Sequence, residues 1–226
     1  MTSPIPSPAL DHLIVMADTL DAGVAWCEAT LGVTPGPGGR HPLFGTHNRV
    51  LSLATPAFPL AYLEIIAIDP EADAPGRTRW FDLDDAALRE AVRTQGPQLT
   101  HWVARVPDLA RAVGDWAGQG IDRGEVLAAS RMTPEGLLQW QIAVRPDGQR
   151  LMDGCLPTLI QWGGVHPAAA MPDSGLALEG LTLHHPQAAA LRGALDLAGL
   201  YSVVVEEAAT PSLRATLQTP RGRVVI

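Results

Sequence analysis

Leu10-Asp11-His12-Leu13, Leu99-Thr100-His101-Trp102 and Leu178-Glu179-Gly180-Leu181 are three renderings of one short phrase. Each opens an apolar run that gives way, eight residues after its leucine, to a polar or proline-marked helix start at Asp18, Pro107 and Pro186. Self-similarity on this scale marks a duplicated supersecondary unit, so the architecture is constrained before any single residue is interpreted. Two copies carry histidine at the third place and the last carries Gly180, which directs the search for chemistry to the first two.

Working outward from the first phrase, Leu10 to Met16 is a β-rich run, and Thr19 to Leu31 places Leu20, Val24, Cys27 and Leu31 at helical spacing before Gly32 ends the helix. A weak strand near Val33, a turn-rich loop from Pro35 through Gly39, and apolar strands at His47 to Ala54 and Leu60 to Ile68 complete a βαβββ module over residues 8–72. Residues 73–96 read as an acidic linker with a helix from Asp84 to Arg93, stopped by Gly96-Pro97. The second module, 97–164, repeats the order with a strand at 98–106, a helix at 108–119 and strands near 124–131, 137–145 and 156–162. After a linker at 165–175, a third, partial module at 176–226 predicts a strand at 176–183, a helix at 187–198 and strands at 201–206, 212–218 and 222–226. The fold class expected is α+β.

At 226 residues the chain can bury a sizeable core, and 46% hydrophobic with 18% charged residues is the balance of a folded soluble protein. No window approaches the ~18 uninterrupted apolar residues of a membrane span. The start, Met1 to Pro8, has no basic residue and no apolar core of signal-peptide length, so a cytoplasmic address is expected. Net charge is −8 and all 16 cationic residues are arginine. The absence of lysine excludes a Schiff-base lysine, and the absence of a basic run argues against a nucleic-acid partner. Cys27 and Cys155 have no second thiol or histidine at metal-finger spacing and read as reduced, buried small hydrophobes.

The stretches Leu10-Asp11-His12-Leu13-Ile14-Val15, Gly45-Thr46-His47-Asn48, Tyr62-Leu63-Glu64-Ile65-Ile66 and Leu156-Pro157-Thr158-Leu159-Ile160-Gln161-Trp162, taken in order with the paired modules, resemble the glyoxalase-like domain group of the vicinal oxygen chelate superfamily. That superfamily includes glyoxalase I, extradiol dioxygenases and bleomycin-resistance-type binding proteins. The resemblance covers about residues 9–164. It implies a curved mixed sheet of eight strands with a concave cavity. Metal ligands from the first and last strands of each module would fall at His12, Glu64, His101 and Gln161. The cofactor implied is a divalent ion such as Fe, Mn, Ni, Co or Zn. Gln161 is a neutral amide where glyoxalase-type enzymes often have a carboxylate.

The residues themselves can be read beside this. In a regular strand His12 shares a face with Leu10 and Ile14, while Leu13 and Val15 point away. Glu64 lies between Leu63 and Ile65, where an unpartnered carboxylate would cost several kcal/mol. A metal would satisfy it, as would an arginine such as Arg49. Two imidazoles and a carboxylate suit a borderline divalent ion with open positions for oxygen ligands. His41 and His47 flank a turn at Gly45 whose residues His41, Thr46, His47 and Asn48 are candidates to touch a substrate oxygen, though turn chemistry alone accounts for Gly45 and Asn48. His184-His185 sits at a strand-to-helix corner, where exposure is expected, and receives no role. Trp102 and Trp162 each adjoin a candidate ligand and so should face the other way, beneath helices. Trp140 suits either core or pocket wall.

Two functions compete. One is a divalent-metal enzyme acting on a small vicinally oxygenated substrate, by isomerase, lyase or dioxygenase chemistry, with Glu64 as the catalytic base. The other is a metal-free protein that binds or sequesters a small molecule. A third module that covers an edge or pairs with another subunit makes a homodimer a further expectation.

Overall fold

The computed structural model describes residues 7–133 and 136–226; the N-terminal stretch from which a cytoplasmic address is read lies, at residues 1–6, outside them. The first module runs β1 (Ala9–Met16), α1 (Leu20–Leu31), β2 (Gly36–His41), β3 (Thr46–Ser52) and β4 (Tyr62–Ile68). Helix α2 (Ala86–Gln95) follows, and the second module runs β5 (Gln98–Arg105), α3 (Leu109–Ala117), β6 (Glu125–Thr133), β7 (Gly136–Val144) and β8 (Thr158–Trp162). Local chemistry places the helices. Thr19, Asp85 and Asp108 each cap a helix by accepting the backbone N–H three residues on, and Gly32 ends α1 in the left-handed conformation. Of the stretch expected as a loop from Pro35, residues 36–39 are instead absorbed into β2, an edge strand tolerant of Pro37 because its outer side pairs with nothing among the described residues.

The eight strands form one mixed sheet in the order β2-β3-β4-β1-β5-β8-β7-β6. The modules join where β1 and β5 run antiparallel, and each module pairs its first and last strands in parallel. The curl is strong enough that the end strands nearly meet: a side-chain carbon built on Gly39 of β2 would lie 1.6 Å from Nη1 of Arg131 on β6.

The third module contains β9 (Ala177–His185), α4 (Ala188–Leu197), β10 (Val204–Glu207), β11 (Ser212–Thr219) and β12 (Gly222–Val225). Its element order matches the other two, but its pairing does not. It makes a separate sheet ordered β10-β9-β11-β12, with β9 central and its crossover neighbour β10 parallel to it. This sheet and α4 share one apolar core with α1, α3 and the convex face of the large sheet. Trp116 of α3 is fully buried there and donates its indole N–H to the Ala194 carbonyl of α4 at 2.8 Å. His185 is buried against this region, correcting the expected exposure of the His184-His185 corner. Cys27 and Cys155 are both buried and free.

The repeated phrase has a structural meaning that its letters do not disclose. In β1, Leu10 faces Ala104 and His12 faces Val103, so Asp11 is an extra residue. Thr100 is likewise extra in β5 and Glu179 in β9. All three copies therefore carry a β-bulge at their second position. The bulge reverses side-chain parity. Leu10 joins Leu13 and Val15 in the core on the helix side, whereas Ile14 faces the concave side, so the expected pairing of Leu10 with His12 on one face is corrected.

The concave face is partly filled by the segment expected to be only a linker. Trp80, Phe81, Leu83 and Val92 pack on Ile14, Met16, Ile66, Val103 and Ile160. Phe81 and Asp82 take left-handed backbone angles, φ 60° and 59°, held by the Asp82 to Arg150 ion pair at 2.9 Å. This segment covers the end of the concave face around His101, where Phe81 and the imidazole lie 5.3 Å apart, and leaves open the end around His12. No helix among the described residues is long and apolar enough to cross a membrane.

Candidate functional site

The open end is a narrow cleft with a cavity volume of about 40 Å³. His12, Tyr62 and Glu64 form its floor, with His41, Asn48 and Val50 from the first module on one wall. Arg131, Leu138, Trp140, Ile142, Ile160 and Trp162 from the second module form the other, and Trp80, Phe81, Pro167 and Met171 close its ends.

On the floor, His12 lies between two carboxylates. Its Nδ1 donates to Asp11 Oδ1 at 2.7 Å and its Nε2 faces Glu64 Oε2 at 3.2 Å. Burial alone would push the imidazolium toward neutrality, but the hydrogen bonds and charges of Asp11 and Glu64 outweigh it and raise the His12 pKa to about 9. Burial likewise opposes ionisation of Glu64, and the His12 contact overcomes it to hold the carboxyl down at about 2. Glu64 Oε1 accepts from Asn48 Nδ2 at 2.6 Å, so both carboxylate oxygens are engaged. Tyr62 stacks on the His12 ring at 4.5 Å, and its buried hydroxyl is held well above the usual range by desolvation and by the Asp11 and Glu64 charges.

Asp11 anchors this network. Oδ2 accepts from Trp162 Nε1 and meets His166 Nε2, each at 2.9 Å, with Arg105 Nη1 at 4.0 Å. Desolvation opposes its charge, and the bonds from His12 and His166 more than compensate, keeping it ionised. Asp11 lies on the same side as its neighbour because it is the bulge residue. Strict alternation conceals that, and so Asp11 was missed. His166 comes from the second linker, 155 residues away, and carries no local signal.

The other candidates are distributed as follows. His101 is fully buried beneath Phe81, with Nδ1 bonded to the Gly154 carbonyl at 2.9 Å and Nε2 accepting from Thr158 Oγ1 at 3.0 Å and its N–H at 3.2 Å. Burial and the Arg123 and Arg150 charges hold it well below its ordinary pKa, so it is neutral. Gln161 points to the opposite face, where its Oε1 accepts the Leu109 N–H at the start of α3 at 2.8 Å. The parity of β8 is thus one residue from that expected. Trp162 lines the cleft, whereas Trp102 packs under the helices as anticipated. Arg49 is exposed and takes no part in holding Glu64, whose partners are His12 and Asn48.

His41 is buried and pushed down to about 4, chiefly by desolvation. The neutral ring donates from Nδ1 to Thr46 Oγ1 at 3.0 Å and presents Nε2 to Asn48 Nδ2 at 3.5 Å. Asn48 fixes the turn as well, since its Oδ1 accepts the Gly39 N–H at 2.7 Å. Thr46 borders a second, solvent-open hollow with Asp69, whose Oδ1 lies 3.8 Å from His47 Nδ1. His41 and Asn48 therefore meet the cleft, and Thr46 and His47 do not line it.

These side chains do not fit a four-ligand metal centre. His12 and Glu64 adjoin, but both His101 nitrogens are committed elsewhere and Gln161 is on the far side of the sheet. Among the described residues, no three His, Cys, Asp or Glu side chains are grouped to hold an ion.

Comparison with known proteins agrees with the architecture. A search of curated proteins finds no match. Among solved structures, the chain is similar to a hypothetical protein from Staphylococcus aureus, at 15% identity and TM-score 0.59, covering 96% of this chain and 84% of that one. It is more distantly similar to methylmalonyl-CoA epimerase from Streptomyces coelicolor, at 19% identity and TM-score 0.42 over 70% of this chain and 96% of that one. For the epimerase from Mycobacterium tuberculosis the values are 17% and 0.39, over 71% and 91%. The sequence profile of the glyoxalase-like domain matches residues 10–199, and with its paired βαβββ modules and half-barrel sheet the chain belongs to the glyoxalase-like domain family of the vicinal oxygen chelate superfamily.

Proposed function

We propose that this chain is a small-molecule-binding member of its family, taking an apolar organic ligand into the cleft between its two modules without a four-ligand metal centre. The observation that carries this reading is the contrast between the cleft and the ligand set. The cleft is walled by Trp80, Phe81, Trp140 and Trp162 and floored by charged groups, whereas His101 and Gln161 are bonded away from it. Concave, mainly aromatic sites with a few fixed polar groups are what small-molecule recognition uses. His41 and Asn48 would meet the ligand's polar atoms at one wall, and the Asp11–His12–Glu64 network would hold the floor rigid.

A second reading, a divalent-metal enzyme with Glu64 as base acting on a vicinally oxygenated substrate, is favoured by the approach of His12 Nε2 to Glu64 Oε2. Elemental analysis of protein purified without chelator, paired with quenching of indole fluorescence by one- and two-ring aromatic compounds, separates the two. The binding reading expects saturable quenching and metal far below one ion per chain. Metal near one per chain that disappears in a His12→Ala, Glu64→Ala double variant would overturn it in favour of the second.

A further inference from the structure

The polar groups of the cleft are unevenly matched. Its carboxylate, Glu64, has both oxygens engaged, and the neutral His41 ring is occupied by Thr46 and Asn48. Two buried donors have no partner among the described residues: Nη1 of Arg131 and the indole Nε1 of Trp80. Both residues line the cleft. Among the described residues no carboxylate lies within 4.0 Å of the Arg131 guanidinium. A buried donor left without an acceptor costs free energy, and a charged one costs more. The position is also provided for. Arg131 projects from the last strand of the sheet to the first and rests on Gly39, where a side-chain carbon would come within 1.6 Å of Nη1. Any larger residue at 39 would displace the guanidinium.

We infer that Arg131 is the specificity residue of the cleft and that the ligand is an organic anion, an aromatic or apolar body bearing a carboxylate-like oxygen pair. The anionic group is received by the Arg131 guanidinium with help from the Trp80 N–H, while the body lies against Trp140 and Trp162. This rests on the binding reading above and names its ligand class. A planar guanidinium matches two oxygens at once, and the aromatic walls lower the local dielectric, which strengthens the pairing. An uncharged or cationic analogue of the same shape gains neither.

The test is a fluorescence titration with one- and two-ring aromatic carboxylates, phenylacetate and 2-naphthylacetate among them, beside their primary amides. The acids are expected to bind at least about tenfold more tightly than the amides, with an affinity that falls as salt is added. Arg131→Gln should bring the acid down to the amide's affinity and leave the amide within about twofold, and Gly39→Val should do the same by displacing the guanidinium. The wild-type salt dependence needs no variant to fold. Equal affinity of acid and amide in the wild type, or a preference that survives Arg131→Gln, overturns the assignment while leaving the binding reading intact. Binding of neither series overturns both.

Discussion

His12 and His101 occupy the same place in two copies of one module, each directly after a bulge, yet they hold opposite charge states. In the first module the bulge residue is Asp11, a carboxylate that takes the Nδ1 proton of its neighbour and draws in Trp162 and His166. In the second it is Thr100, whose hydroxyl is buried without a partner among the described residues, and His101 turns instead to Gly154 and Thr158. Position in the fold is therefore inherited by duplication. Charge is decided by the partners that each ring meets, Asp11 and Glu64 for His12, burial with Arg123 and Arg150 for His101.

The sharpest way to break this comparison is to remove the two bulge side chains in turn. Asp11→Ala takes one of two carboxylates from the buried His12 imidazolium and the nearest one from the Arg105 guanidinium, and should cost about 3–5 kcal/mol in urea unfolding. Thr100→Ala removes a hydroxyl without a partner among the described residues and should stay within about 1 kcal/mol. Similar losses at the two positions would show that the bulges contribute through packing alone.

The charge difference can also be read in the pH dependence of stability. Because the folded pKa of His12 is raised to about 9, its contribution is complete below its unfolded value near 6.5 and is lost as pH climbs from there through about 9. Glu64, depressed to about 2, contributes above its unfolded value near 4.5 and loses that contribution as pH falls toward 2. His41, pushed down to about 4, and His101, held well below its ordinary value, contribute fully only above about 6.5, so urea midpoints should peak near pH 6.5 and decline on both sides. His12→Gln should flatten the alkaline decline, and an unchanged slope in that variant would remove His12 as its source.

Smaller effects test the two faces of β8. Gln161→Ala loses the acceptor for the first N–H of α3 and should cost about 1 kcal/mol with no change in the cleft, whereas Trp162→Phe should alter ligand-induced fluorescence. The third bulge is expected to matter least. Glu179→Gln breaks a largely exposed pair with Arg223 at 2.7 Å and should shift the unfolding midpoint by no more than about 0.5 kcal/mol.

Much of the scaffold was legible because helical spacing and cap residues are local signals. Thr19, Asp85 and Asp108 announce their helices in the letters themselves. Strand β2 was hidden because Gly36-Pro37-Gly38-Gly39 has the composition of a turn, and only pairing with β3 makes it a strand. The third module kept the expected element order but pairs its strands differently from the other two, since order along a chain does not dictate which strands become neighbours. Of the candidate site residues, His12, Glu64, His41 and Asn48 line one cleft. That Asp11, His166 and Arg131 lie beside them was not legible, because a bulge is invisible to alternation and distant segments are brought together only by the fold. Gln161 and Trp162 exchanged roles for a related reason: Thr158-Leu159-Ile160-Gln161-Trp162 has no polar–apolar rhythm from which a face can be read.

A scaffold made of two like halves begins with two equivalent recesses. Here the stretch carrying Trp80 and Phe81 lies down over the recess beside His101 and becomes a wall of the recess beside His12. The tether between halves is thereby the symmetry breaker of the molecule. It leaves one open recess per chain, and the covered histidine spends both ring nitrogens on Gly154 and Thr158 of its own module.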